Sequence, residues 1–335
     1  MWGSGIIKMN ATAWILLISL VNGCSNYATE NPFFEGLRPC SQIELEASHD
    51  LGDIEAGTGA LLATRFSSLE ELKRTVKIEY LTVSGNPLLV EEKAEMVRVC
   101  HCSNGREVVG ILKEGVSQDD ISDAQKGGIG VRIELLLHSP FSIRNREDLK
   151  RVLALARRLP LVYGEGDPAF YDIAEQSVRN ISKDGFPFKD QRDSTEKGYL
   201  NSFNHLTAQA FISSIFSEEI ADFVADVHER KNMPELISGL FDESQLADPI
   251  DNPIDNYVDM INNEWGQELG KQLKAKYNIK PTTFWTPQLL ADYLNDLQSY
   301  YSWAFKIGFS PFRADEDLIL RFSKKVNVIT KVSLP

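Results

Sequence analysis

The apolar residues of this chain change their spacing once, and that change decides the fold class. Between Leu61 and His138 they fall at every second position. Val76, Ile78 and Tyr80 alternate with Lys77 and Glu79, and the same rhythm runs through 96–102, 107–112 and 131–137. From about Asn145 they recur every three to four residues, beginning with Leu149, Val152, Leu153 and Ala156. Alternation suits a half-buried strand and the longer period suits one face of a helix. The expected class is α+β: a small β-rich N-terminal module over 49–142, a helical connector over 143–198 and a mainly α-helical C-terminal domain over 199–335. A chain of 335 residues exceeds what one core usually organises, in keeping with such a division.

Local signals refine this outline. Ser67 and Glu70 have the capping-box spacing, which predicts a helix start there. Gly127-Gly128-Ile129-Gly130 precedes an expected strand instead of opening a helix, so it reads as a turn and not as a phosphate loop. Asp167-Pro168 supplies an N-cap and a first-turn proline for a helix carrying Phe170, Ile173, Ala174 and Val178, and Thr286-Pro287 repeats the device. The polar stretch 183–198 reads as a domain boundary. The aromatic run from Tyr300 to Phe305 reads as helix packing before sugar binding.

The first 23 residues read as an export signal. An apolar run from Ala13 to Val21 is short for a permanent membrane span, and Lys8 precedes it. Leu20-Val21-Asn22-Gly23-Cys24 resembles the lipobox of bacterial lipoproteins, with Asn22 larger than the usual small residue; an uncleaved signal anchor is the alternative. The resemblance implies lipidation of Cys24, a tether over 24–48, the membrane as partner through that lipid, and a place in the cell envelope. Two or more acyl chains are needed for stable anchoring, because each buried methylene contributes about 0.8 kcal/mol.

Charge and cysteine usage narrow the partners. The formal net charge is −13 and the pI about 5.0, which argues against nucleic acid or anionic lipid as a partner of the body. Besides Cys24 the chain has Cys40, Cys100 and Cys102. Cys100 and Cys102 share one face of an alternating segment and lack the spacing of a zinc site. A bridge from Cys40 to one of them is the expectation in an oxidising compartment. His49, His101 and His138 stand alone and read as surface or core residues.

The stretch from Asn201 to Gly270 holds polar residues where helical packing wants apolar ones. Asn204-His205 opens a helix that is otherwise core-like through Ala208, Ala210, Phe211 and Ile215. In a second helix, after Ser217, Asp222, Asp226 and Glu229 share a face and His228 points aside. A third, over about 254–277, has an apolar stripe of Val258, Ile261, Trp265 and Leu269. Its neighbouring stripe carries Asp255, Asp259, Asn262 or Asn263, Gly266 and Gly270, and the two glycines admit a close neighbour.

The order Asn204-His205, then Ala225-Asp226-Val227-His228-Glu229, then Asp259-x-x-Asn262-Asn263-x-x-Gly266 resembles an uncharacterised helical domain family of secreted and cell-surface bacterial proteins. The resemblance spans about 201–270, departs from the family pattern at Leu206, and implies a shared site without an established reaction. Read as chemistry, three helices converge imidazoles and carboxylates, the ligands that zinc and related divalent metals take. His205, His228 and Asp259 are the candidate metal ligands, with Glu229 the candidate general base and Asp226 a second catalytic candidate. Asn204, Asn262 and Asn263 would orient them. The competing expectations are a non-enzymatic envelope lipoprotein whose polar network fixes helix register and a secreted antibacterial effector. A hydrolase should expose the cluster in a pocket, whereas a structural network should be sealed.

Overall fold

The computed structural model describes residues 38–40, 58–81, 96–182, 187–232, 235–247 and 252–331. The export signal, Cys24, most of the tether and His49 lie outside these. The protein is α+β, mostly helical with a small antiparallel sheet. The sheet comprises β1 (Arg38–Pro39), β2 (Val76–Leu81), β3 (Met96–Ser103) and β4 (Arg106–Lys113), in the order β1-β4-β3-β2. The register sets Val97 opposite Leu112 and Tyr80, and Val99 opposite Gly110 and Ile78. Alternation therefore sends Val76, Val97, Val99, His101, Val108 and Leu112 to one buried face. On the other face Arg98 pairs across strands with Glu79 at 2.7 Å. Cys40 is bridged to Cys102, tying the edge strand to β3, and Cys100 is a buried thiol outside the bridge.

The helices that bear on the site and its surroundings are α1 (Leu69–Leu72), α2 (Gln118–Lys126), α3 (Ile129–His138), α4 (Pro140–Arg144), α5 (Arg146–Ala156), α6 (Pro160–Tyr163), α7 (Phe170–Arg179), α8 (Asn201–Ile215), α9 (Glu218–Asn232), α10 (Glu235–Ser238), α11 (Glu243–Ala247), α12 (Pro253–Lys276), α13 (Pro287–Phe305) and α14 (Asp317–Thr330). The long α12 lies between the buried face of the sheet and α8. The Trp265 indole N–H donates to His101 Nδ1 at 2.9 Å, and the hydroxyls of Tyr80 and Tyr257 meet. Buried residues of sheet and helices form one large core, and Val116, Ala124, Leu135 and Val227 form a smaller one beside it.

The expected close approach at Gly266 and Gly270 is present, and the neighbour is α8. A methyl group on Gly270 would stand 2.4 Å from the Ala210 carbonyl oxygen, and one on Gly266 would stand 2.9 Å from that of Leu206. Thr286 caps α13 by accepting the Leu289 N–H at 3.0 Å, as expected, and Tyr300 and Tyr301 are fully buried packing residues.

Several local expectations are corrected. The sheet ends at Lys113, and 131–137, expected as a strand, lies within the helix Ile129–His138, which the glycine-rich turn opens with Gly128 as its N-cap. A helix satisfies its backbone groups internally. The first cap shifts by one residue: Ser68 accepts the Glu71 N–H, while the Ser67 N–H and hydroxyl donate to the Glu71 carboxylate. Asp167 does not cap α7, which starts at Phe170 with Asp172 accepting the Ala169 N–H. Asp167 instead accepts from Leu159 N and from the buried Lys325 ammonium, each at 2.7 Å. In α5 the buried face is Val152, Ala154 and Leu155, with Leu153 and Ala156 outward. The stretch expected as a loose boundary holds Asp193, fully buried and accepting from Thr64, Arg65 and the N–H groups of Lys189 and Asp190.

Candidate functional site

Four of the polar residues picked from the sequence, His205, Asp259, Asn263 and Glu229, lie together at the junction of α8, α9 and α12. His205 stands half-buried on α8, and α12 presents Asn263 and Asp259 to its two ring nitrogens. Nδ1 lies 2.9 Å from Asn263 Oδ1, and Nε2 lies 3.2 Å from Asp259 Oδ2. Both nitrogens are thereby engaged by oxygen. Asn201, one helical turn before His205, donates to Asp255 at 3.0 Å and to Asp259 at 2.9 Å, and Lys197 pairs with Asp255 at 2.5 Å. Asp259 is held well above the usual carboxylate range, by burial first and then by Asp255; Asn201 and Lys197 oppose this.

Glu229 enters from α9. It is 2% exposed, and neither carboxylate oxygen has a hydrogen-bond partner. Burial, with Asp259 as the next cause, pushes it far up, against the pull of His205. A buried carboxyl without partners is uncommon, since almost all such groups are satisfied. Asp226, three residues earlier, faces another way. It pairs with Arg230 at 2.8 Å on the wall of a surface cleft, and burial raises it to about 7 although Arg230 pulls it down. Glu264 on α12 adds a further carboxyl raised by burial and by Asp222 and Asp226.

The two histidines picked from the sequence, His205 and His228, face different partners. Their ring centroids are 6.2 Å apart, and His228 turns outward, where Asn232 meets its Nε2 at 2.9 Å. Protein around the ring, with His205 next in effect, lowers His228 to about 4. Among the described residues no three His, Cys, Asp or Glu side chains are arranged to close on one metal ion. Glu229 is buried with both carboxylate oxygens free of hydrogen bonds. Asn262 serves elsewhere: its amide accepts from Leu61 N at 2.8 Å and donates to Leu61 O at 2.9 Å, pinning a buried loop with help from Ser202. Asn204 is half-buried and makes none of these bonds.

Lys197 and Asn201 escaped the sequence reading. Asn201 was findable, being one turn from His205 on the same face; Lys197 sits in a stretch without helical periodicity. His101, read as a core or surface histidine, is core and is lowered to about 4 by burial. No family model, curated protein or solved structure matches the chain.

Proposed function

We propose that this chain is a lipid-anchored envelope lipoprotein whose body is a non-enzymatic structural or binding module, with the polar centre fixing how α8, α9 and α12 pack. The observation that carries this reading is the double engagement of His205, by Asn263 and Asp259, within a centre that opens into neither surface cleft. In this centre His205, Asp259, Asn263 and Asn201 spend their bonding capacity on one another, which is how a network that fixes helix packing is built. The Cys40–Cys102 bridge supports export to an oxidising compartment. Among the described residues no helix is long and apolar enough to cross a membrane; the anchor in this reading is Cys24, which lies outside them. A β-bearing N-terminal part followed by a helical part is the domain organisation that goes with it.

One observation favours the second reading, metal-assisted hydrolysis. The unpartnered Glu229 carboxylate is the group a divalent metal or an activated water would engage, with His205, His228 and Asp259 around it. Two measurements decide. Metabolic labelling with palmitate should mark the wild-type chain and not Cys24→Ala. Metal analysis of the full chain after incubation with zinc should find no stoichiometric metal, and His205→Gln should lower the melting temperature. Stoichiometric zinc lost in His205→Gln and Asp259→Asn would overturn the non-enzymatic reading and leave the lipid anchor standing.

A further inference from the structure

Helices α5 and α14 pack side by side and antiparallel. Near one end the buried Lys325 ammonium binds the Arg157 carbonyl at 2.9 Å, and at the other Lys331 lies close enough to act on Glu147. Their outward stripes, Lys150, Leu153 and Arg157 on α5 and Leu320, Lys324 and Val328 on α14, form one surface. Its charge differs from that of the molecule, which is −13 net: residues 149–163 hold four cations and no carboxylate, and so do residues 318–331. Carboxylates from outside these segments pair with five of the eight. Among the described residues Arg157, Lys324 and Lys331 are left without one, and Glu165 is the unpaired carboxylate of the loop beside them. The same surface exposes apolar side chains. α6 is a single turn between Leu159 and Gly164, and on it Leu161 is fully exposed and Val162 is 68% exposed. Behind this tip Leu153, Leu320 and Val328 are 41%, 47% and 55% exposed.

The two properties together select the occupant. Cations alone would suit any polyanion, and apolar side chains alone any apolar surface. Side by side they fit a partner with a negative outer layer and hydrocarbon behind it, which describes an anionic phospholipid bilayer. A second copy would set Arg157, Lys324 and Lys331 against their own kind, and a nucleic acid would leave Leu161 and Val162 in water. A protruding tip also suits a fluid layer that closes around it, whereas a protein partner would need a matching hollow. We propose that the α5–α6–α14 face docks on anionic phospholipid, with Leu161 and Val162 entering the headgroup layer and Arg157, Lys324 and Lys331 meeting the phosphates. The negative charge of the rest of the body opposes lipid contact elsewhere, so the docked molecule takes one orientation, its acidic remainder turned away. The inference goes beyond the lipoprotein reading and does not depend on acylation of Cys24.

The test uses the full chain with Cys24→Ala, which removes any acyl anchor, and an environment-sensitive dye at Leu161→Cys or, for comparison, at Glu243→Cys on α11, outside this face. Vesicles of phosphatidylcholine with phosphatidylglycerol should shift the dye at 161 to the blue and leave that at 243 unchanged. Phosphatidylcholine alone should shift neither, and raising salt from about 50 to about 500 mM should weaken the binding about tenfold. Affinity is then read by sedimentation, as binding to the mixed vesicles in excess of that to phosphatidylcholine. Arg157→Gln, Lys324→Gln and Lys331→Gln together should bind about a hundredfold more weakly at an unchanged melting temperature. Leu161→Ser with Val162→Ser should bind about tenfold more weakly. No shift at 161, equal shifts at 161 and 243, or an unchanged affinity in either variant would overturn the proposal. So would a larger shift with a leucine–glutamate peptide helix than with the vesicles, which would make the occupant an acidic protein. Palmitate labelling at Cys24 stands apart from every one of these outcomes.

Discussion

His101 joins β3 to α12 through the Trp265 indole, and burial holds its imidazole at about 4, against an ordinary value of 6.5. Above pH 6.5 neither folded nor unfolded chain protonates it, and it has no effect on stability. As pH falls toward 4 the unfolded chain takes a proton that the folded chain refuses, so stability falls, by about 3 kcal/mol over the window; below 4 both take it and the loss levels off. Glu229, Asp259 and Glu264 act with the opposite sign, because their folded forms hold protons more readily. The comparison is therefore with His101→Gln, whose amide oxygen keeps an acceptor for the indole. Its urea midpoint should lose less than that of wild type between pH 6.5 and 4.5, and parallel curves would contradict the assignment. At this scale the sequence was informative where polarity clashed with helical spacing: His205, Asp259, Asn263 and Glu229 stood out on that ground. It could not tell that His205 would be engaged on both sides while Glu229 would be left unbonded, since both outcomes need the partner helix.

Among the elements, α8 and α12 pack closest, and Gly266 and Gly270 are the reason. Alanine at 270 gains about 1 kcal/mol of helix propensity, yet its methyl group meets backbone that cannot rotate away. Overpacking of this kind costs about 1–3 kcal/mol and sometimes more, so Gly270→Ala should lower the urea midpoint despite the propensity gain, while Gly130→Ala, at an open position inside α3, should not. The glycine pair was legible because two glycines one turn apart on a long helix have few other uses. The α3 segment was not. Ile129, Val131, Ile133, Leu135 and Leu137 alternate like a strand, yet the segment is helical and buries only Leu135. The caps at Ser68 and Ala169 show a milder limit: the spacing located each helix start to within a few residues, but the choice among adjacent Ser, Asp and Pro residues was settled by where Glu71, Asp172 and Lys325 reached.

For the whole molecule, the Cys40–Cys102 bridge closes a separation of 62 residues and fastens the edge strand beside β4. Native bridges of this size stabilise by about 2–4 kcal/mol, mainly by limiting the unfolded chain. Cys40→Ser with Cys102→Ser should therefore melt lower and lose hydrogen-exchange protection first at the amide of Cys40, which donates to Gly105. An unchanged melting curve would show that the bridge holds only a frayed end. The α+β class and the order of strands before long helices were legible from the switch in apolar period. The large core shared by sheet and helices was not, because contacts such as Trp265 with His101 join residues too distant for any local pattern to record. The clamp of Asn262 on the Leu61 backbone spans 201 residues and bears on timing. Leu61 cannot be locked until α12 has been synthesised, and structure that waits on such distant partners forms slowly. The Leu61 segment therefore stays unfastened through most of the chain's synthesis, and its locking is among the last long-range contacts that can form.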